Sequence, residues 1–189
     1  NPCYIFHPLN SYDLPDGRVV FDAARHPRMF DKERRGPSEG PPMLTRWILD
    51  PSTGTSTEEQ LDDRSMEFPR IREDLVGRPN AFGYAAGVGP GFTQDTLFKV
   101  NLEKHITEMR NDSRYGYGEP DFIPRTNDAA STDNEDDGYV MALRHDGETD
   151  LSELAIFDAR GFTDDPVAVV HLPVRVPNGF HGNWCPTGQ

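Results

Sequence analysis

The sequence predicts an all-β protein, and three observations support that fold class. Ten short apolar stretches are each bounded by Gly, Pro, Asp or Asn, which is the pattern of β-strands separated by turns. The chain contains 17 glycines and 17 prolines, so turns should be frequent and helices few. The most helix-like stretch, residues 101–109, carries charges on most sides and therefore lacks an apolar helical face.

The predicted strands follow one another along the whole chain. Several alternate in the two-residue period that sends successive side chains to opposite faces of a sheet. We interpret residues 101–109 as an irregular or strand-like connection and the polar residues 127–138 as a solvated loop. The predicted strands are residues 3–7, 17–24, 43–50, 65–71, 81–87, 95–102, 121–125, 139–146, 153–160 and 167–176.

Turn sequences between these strands are typical of hairpins. They read PDG at 15–17, DPSTG at 50–54, DDG at 136–138 and HDG at 145–147. The acidic residues 133–138 also resemble the start of a calcium loop. This segment lacks the final bidentate Glu that such a loop requires, so a solvated hairpin loop is the favoured interpretation.

Composition limits the possible partners and location. The formal net charge of -13 argues against nucleic-acid binding, which needs a basic surface, and we expect no nucleic-acid partner. No apolar run approaches the roughly 20 residues that a membrane helix needs. Contact with a membrane surface is compatible with the sequence. We expect a cytoplasmic protein.

The two ends of the chain carry few signals about processing. The chain starts at Asn1 directly within strand-like sequence, so we expect a piece of a longer protein whose N-terminal part is absent. Cys3 and Cys185 are too few for a disulfide-built fold. They could form one bridge if the termini meet, but free thiols are the expected state in a cytosolic protein.

Each end also holds one histidine in apolar sequence, His7 in FHP and His181 in FHG. Two glutamates lie in similarly apolar surroundings, Glu67 in SMEFPRI and Glu119 in YGYGEPDF. A buried carboxylate needs a donor, and a metal-bound imidazole supplies one through its second ring N–H. We therefore predict two histidine–glutamate couples around one metal.

Other metal ligands are less well supported by the sequence. Cys3 and His7 mirror His181 and Cys185, as in a zinc site, but residues four apart in a strand are about 13 Å apart and cannot share an ion. His26, His105 and His145 have charged or turn neighbours and are predicted to lie on the surface. His171 is predicted to be a core residue or to lie at a strand edge.

An ordered set of motifs runs across essentially the whole chain: FHPLNSYD, LDDRSMEFPRI, YGYGEPDFIPR, EDDGYVMALRHDG with SELAIFDAR, and VPNGFHGNW. In their order and intervals these motifs resemble those of the carotenoid cleavage oxygenases. That family includes lignostilbene dioxygenases and the retinoid isomerase of the eye.

The resemblance implies a seven-bladed β-propeller with ferrous iron on its axis, held by four histidines. His7 matches the third ligand and His181 the fourth, with Glu67 and Glu119 as the carboxylates bonded to them. Residues 1–189 would then be one region, the C-terminal three to four blades, and the first two ligands would precede residue 1. No catalytic group beyond the metal ligands is implied.

The implied reaction adds dioxygen across one C=C bond of an apolar conjugated substrate, a carotenoid, apocarotenoid or stilbene, and yields two carbonyl products. The aromatic side chains of Phe6, Phe180 and Trp184 would line the substrate tunnel or pack in the core. We expect the 189 residues alone to be inactive. Two alternatives stay open: a non-catalytic fragment or β-propeller binding module, and the isomerase chemistry of the family.

Overall fold

The computed structural model describes residues 2–34, 39–126 and 134–185. Within these ranges the chain forms twelve β-strands and two short 3-10 helices, at Glu73–Leu75 and Pro90–Phe92. The predicted all-β class is therefore confirmed. The strands are β1 (Tyr4–Asp13), β2 (Val19–His26), β3 (Met43–Asp50), β4 (Thr55–Arg70), β5 (Phe82–Gly87), β6 (Thr96–Asn101), β7 (Ile106–Asn111), β8 (Tyr115–Tyr117), β9 (Asp121–Pro124), β10 (Gly138–Asp146), β11 (Leu151–Asp158) and β12 (Ala168–His171).

The strands form antiparallel sheets in which neighbours in sequence are neighbours in space. One sheet follows the order β1-β2-β3-β4-β5-β6-β7. A second follows the order β12-β11-β10-β8, and β9 also pairs with β10. The long strand β4 pairs with β3 through its first part and with β5 through its last part. The strands thus form three consecutive four-stranded meanders: β1–β4, β4–β7, and β10–β12 with β8 and β9 sharing the fourth position. A four-stranded meander is the repeating unit of a β-propeller.

Two apolar clusters pack these meanders against one another. The first joins Leu9 and Leu44 of the first meander to Phe98 and Val100 of the second. The other joins residues of β4, β5 and β6 to residues of β8, β9, β10 and β11, and its largest members include Phe68, Tyr84, Tyr117, Phe122 and Phe157. Burying an aromatic side chain of this size contributes about 1.5–3 kcal/mol. Face-to-face packing of successive sheets therefore holds the chain together.

Irregular pairing occurs where the predicted site residues lie. The β1–β2 register shifts between Ile5 and Pro8, on either side of His7. The β4–β5 register shifts between Glu67 and Arg70, and Phe68 within that bulge has a φ of 53°. A bulge re-aims side chains away from the strict alternation of a strand.

Several details of the strand prediction need correction, beginning with the first strand, which was predicted to end at residue 7 and extends to Asp13 as β1. The predicted strand at 65–71 is the end of a 16-residue strand, β4, whose first part is polar and exposed and so has no apolar signal. Strand β8 was not predicted, since three residues are too few to show a period. The predicted strand at 167–176 is shorter, because only Ala168–His171 pairs with β11.

The predicted solvated loop at 127–138 is wrong in its last part, and its residues 127–133 lie outside the described residues. Glu135 is 2% exposed, and its carboxylate accepts the backbone N–H groups of Ala81 and Phe82 at 2.8 Å each. Burial raises the pKa of Glu135, and these two donors oppose the rise. Asp136 accepts a hydrogen bond of 2.9 Å from the buried Lys99. These carboxylates anchor the loop instead of facing solvent.

The helices in the described parts of the chain are three-residue turns, so none of them can cross a lipid bilayer. The assignment of residues 1–189 to three to four blades stays a prediction.

Close approach of two strands predicts that Gly138 cannot be replaced without loss of stability. A Cβ there would lie 2.3 Å from the carbonyl oxygen of Ile123 and 2.6 Å from the ring of Phe122. We expect Gly138→Ala to lower the free energy of unfolding by about 1–3 kcal/mol, measured by chemical denaturation. Gly116→Ala is the control, since a Cβ there meets nothing within 4 Å. Equal losses from the two variants would contradict the packing described for β9 and β10.

Candidate metal centre

Residues from both ends of the sequence meet at one place. The ring centroids of His7, on β1, and His181, beyond β12, are 4.9 Å apart, and the ring planes are inclined by 73°. Each ring directs its Nδ1 at a glutamate, Glu67 on β4 and Glu119 between β8 and β9. The two predicted couples are therefore both formed, and they lie side by side.

The first couple is short, and its carboxylate is buried. His7 donates through Nδ1 to Oε2 of Glu67 at 2.6 Å, and Glu67 is only 3% exposed. The backbone N–H of Phe68 donates to the same oxygen at 2.7 Å. Because a carboxylate can only accept, His7 carries its proton on Nδ1, and its Nε2 keeps a lone pair for a metal.

His26 also belongs to this couple, and its predicted surface location is wrong. The side chain is 1% exposed, and Nε2 lies 2.7 Å from the second oxygen of Glu67. Its Nδ1 is buried and has no hydrogen-bond partner among the described residues. The charged neighbours of His26 suggested exposure. The two-residue period of β2 would have corrected this, because Val20, Ala24 and His26 share one buried face.

The second couple is longer and more open. His181 lies 3.2 Å through Nδ1 from Oε1 of Glu119, and the backbone N–H of Gly182 donates to Oε2 at 3.1 Å. The Glu119 side chain is 7% exposed, whereas that of His181 is 58% exposed. The carboxylate is thus built into the fold, while the histidine lies on a segment that has no regular secondary structure.

Arg70 lies beside the second couple. Its guanidinium pairs with Glu119 at 3.3 Å, with Asp121 at 3.1 Å and with Glu73 at 2.8 Å. Burial raises the pKa of Asp121, and Arg70 and the backbone N–H of Trp184 oppose that rise. The site therefore contains a charged network in addition to the two histidine couples.

The three aromatic residues predicted for a tunnel lie close to the couples in sequence, and two are in ring contact with the site. Phe6 is 40% exposed and meets His26 edge-on with centroids 5.3 Å apart. Phe180 is 71% exposed and contacts Phe68 at 6.4 Å. Trp184 is 49% exposed. Their exposure shows that none of the three packs in the core of the described residues.

The geometry of His7 and His181 fits two ligands of one ion. An imidazole nitrogen bonds a divalent metal at about 2.1 Å, and two such rings at about 90–110° around one ion have centroids about 4.5–5.3 Å apart. The 4.9 Å separation lies in that range. Neutral imidazoles suit iron, copper, nickel and zinc, so the donor set alone does not choose the metal.

Other combinations of ligands do not form in the described part of the chain. No group of three or more His, Cys, Asp or Glu side chains there could hold a metal. Cys3 and Cys185 are both exposed and free, as predicted. His105 is exposed as predicted, while His145 and His171 pair with Asp150 and Glu153 at 2.8 Å each.

Part of a β-propeller that brings two histidine–glutamate couples side by side defines the class of protein. The chain belongs to the carotenoid cleavage oxygenase family, since the family model described as retinal pigment epithelial membrane protein matches residues 1–186. Similar curated proteins carry related descriptions. A carotenoid cleavage oxygenase of Mycobacterium tuberculosis is 40% identical over 98% of this chain and 38% of its own length.

Two further relatives extend the comparison. An apocarotenoid-15,15'-oxygenase of Synechocystis is 29% identical over 97% of this chain and 39% of its own length. A lignostilbene-alpha,beta-dioxygenase of Sphingomonas paucimobilis is 32% identical over 76% of this chain and 32% of its own length. The chain thus spans about two fifths of the relatives it matches.

The solved structures confirm the predicted fold class, part of a β-propeller. The crystal structure of cobalt-substituted Synechocystis apocarotenoid oxygenase superimposes with a TM-score of 0.86 and 27% identity. That match covers 97% of this chain and 40% of the solved chain.

The hydrogen bond from His26 predicts a cost when its donor is removed. We expect His26→Leu to lower the free energy of unfolding by about 1–3 kcal/mol, because Glu67 loses a buried donor. His26→Gln should lose less, since its amide can still donate. His145→Leu is the control, because its partner Asp150 is 82% exposed and such a pair contributes about 0–1 kcal/mol. The free energy of unfolding of the three variants is measured by chemical denaturation. Equal losses from His26→Leu and His145→Leu would contradict a stabilising hydrogen bond from His26 to Glu67.

Proposed function

We propose that these residues belong to a non-haem iron(II)-dependent dioxygenase that cleaves a conjugated C=C bond into two carbonyl products. The observation that carries the proposal is the convergence of His7 and His181, with ring centroids 4.9 Å apart and a glutamate behind each ring. A carboxylate behind an imidazole fixes its tautomer and raises its basicity, which is the arrangement of a metal ligand.

In this proposal His7 and His181 hold the iron through Nε2. Glu67 and Glu119 hold the rings in orientation and keep the proton on Nδ1. When bound, the iron supplies the redox chemistry that activates dioxygen. A shell of neutral histidines adds no negative charge and keeps the metal electrophilic. No other side chain is assigned a catalytic role.

The names of the relatives support the substrate class. They describe enzymes acting on carotenoids, apocarotenoids and lignostilbene, which are all apolar conjugated molecules. Exposed Phe6 and Phe180 offer aromatic surface beside the histidines for such a chain, and Trp184 is an exposed ring three residues after His181. The proposed partners are therefore an apolar conjugated small molecule and dioxygen.

A solved relative supports the presence of a metal. Its description as cobalt-substituted indicates a site in that protein that accepts cobalt. The two imidazoles that converge here would be half of a four-histidine shell. We therefore propose that the activity needs a longer chain, and that the 189 residues alone do not catalyse it.

Single substitutions should separate ligands from supporting residues in a chain of the relatives' length that contains this sequence. His7→Ala and His181→Ala should abolish iron binding, because each removes a ligand. Glu67→Gln and Glu119→Gln should weaken it by about 10–100-fold. Iron content and affinity are measured after anaerobic reconstitution. His105→Ala, at an exposed turn, is the control.

Product analysis completes this test. The iron-loaded chain should convert at least one member of a panel of carotenoids, apocarotenoids and stilbenes into two carbonyl fragments. A rearranged, uncleaved product would indicate the isomerase alternative. A chain that takes up no iron and leaves the whole panel unchanged would overturn the dioxygenase proposal and favour a binding module.

A further inference from the structure

The guanidinium of Arg70 contacts both the carboxylate and the backbone that position His181. One terminal nitrogen lies 3.3 Å from Glu119 Oε2 and donates to the carbonyl oxygen of Gly182 at 3.0 Å. The other donates to Asp121 at 3.1 Å and to Glu73 at 2.8 Å. Arg70 therefore contacts Glu119, the hydrogen-bond partner of His181, and also Gly182, the residue that follows His181.

Strand β4 connects this contact to the other couple. Glu67, which accepts the hydrogen bond from Nδ1 of His7, lies three residues before Arg70 on the same strand. Because the β4–β5 register shifts between Glu67 and Arg70, the two side chains point in different directions: Glu67 faces His7, and Arg70 faces Glu119. Strand β4 thus supplies Glu67 to the His7 couple and Arg70 to the His181 couple.

The segment that carries His181 has few other anchors in the described structure. It lacks regular secondary structure, and the His181 side chain is 58% exposed. The polar contacts of residues 181–184 run to Glu119, to Arg70, to Glu73, which accepts a hydrogen bond of 3.4 Å from Asn183, and to Asp121, which accepts the backbone N–H of Trp184. Glu119, Glu73 and Asp121 are all partners of Arg70, so the guanidinium connects all of these contacts.

Charge gives a second reason for an arginine here. Three carboxylates, those of Glu73, Glu119 and Asp121, lie within 3.3 Å of its terminal nitrogens. Without a cation they would repel one another at the point where the segment is attached. The Arg70 side chain is only 17% exposed, so water screens these interactions incompletely.

We propose that Arg70 is the positioning residue that sets His181 against His7, by holding Glu119 and the Gly182 carbonyl from strand β4. This inference rests on the proposed metal site. It requires the planar, forked guanidinium, because two terminal nitrogens serve two sets of acceptors at once. A lysine would retain the charge but could not reach both sets.

Cobalt(II) affinity in the longer chain tests the proposal through a double-mutant cycle. We expect Arg70→Gln to weaken cobalt binding by about tenfold or more, and Arg70→Lys to weaken it by a smaller factor. The loss in Arg70→Gln/Glu119→Gln should be much smaller than the product of the single losses, because Arg70 acts through Glu119. Independent, multiplicative losses would overturn the proposal.

Arg125→Gln is the matched control. That guanidinium also pairs with two aspartates, Asp137 and Asp158, at 3.0 and 2.7 Å, but it lies on the third meander outside the site. It should not alter cobalt affinity. Equal effects of Arg70→Gln and Arg125→Gln would show a general loss of stability and would overturn the positioning role.

A measurement without metal separates this inference from the proposed function. The amide of Gly182, which donates to Glu119, should exchange with deuterium faster in Arg70→Gln, on the order of tenfold, and should be unchanged in Arg125→Gln. Unchanged exchange in Arg70→Gln and in Arg70→Lys would overturn the inference. If the parent chain fails to bind cobalt while the exchange result holds, the metal proposal fails and the anchoring role of Arg70 stands.

Discussion

The buried carboxylate of Glu67 is the constraint on which the site depends. At 3% exposure it must be satisfied by protein donors, and it accepts from His7, His26 and the backbone N–H of Phe68. These donors come from β1, β2 and β4, so one side chain fixes three strands of the first sheet relative to one another. The same hydrogen bonds determine which nitrogen of His7 is free. Strand packing and ligand chemistry are thus consequences of a single interaction.

The buried carboxylate of Glu119, in the second couple, also needs protein donors, but it finds donors of a different kind. Glu119 is satisfied by a cation, Arg70, and by the backbone of Gly182, and its histidine remains more than half exposed. One couple is therefore held inside a sheet, while the other is attached to the sheet through a charged network. Since β4 supplies both Glu67 and Arg70, the two halves share one frame. This explains how residues from opposite ends of the sequence can face one another at 4.9 Å.

Sequence patterns predicted most of the strands and the four residues of the two couples, because apolar neighbours and two-residue periods are local signals. His26 was missed because its charged neighbours obscured a period that runs through β2. The polar half of β4 and the buried Glu135 were missed for a related reason: their environment is set by partners distant in sequence. The left-handed φ of Phe68, at the register shift of β4, follows no local rule. Long-range hydrogen bonds, which a one-dimensional pattern does not record, account for these differences.

Anomalous diffraction from crystals of the longer chain loaded with iron or cobalt tests the central claim most directly. The claim is that the imidazoles of His7 and His181 share one ion, each braced by its carboxylate. A single anomalous peak should lie about 2.1 Å from Nε2 of both rings, with Nδ1 of each still bonded to its glutamate. A peak bonded to only one of the two rings, or one lying away from both, would contradict it.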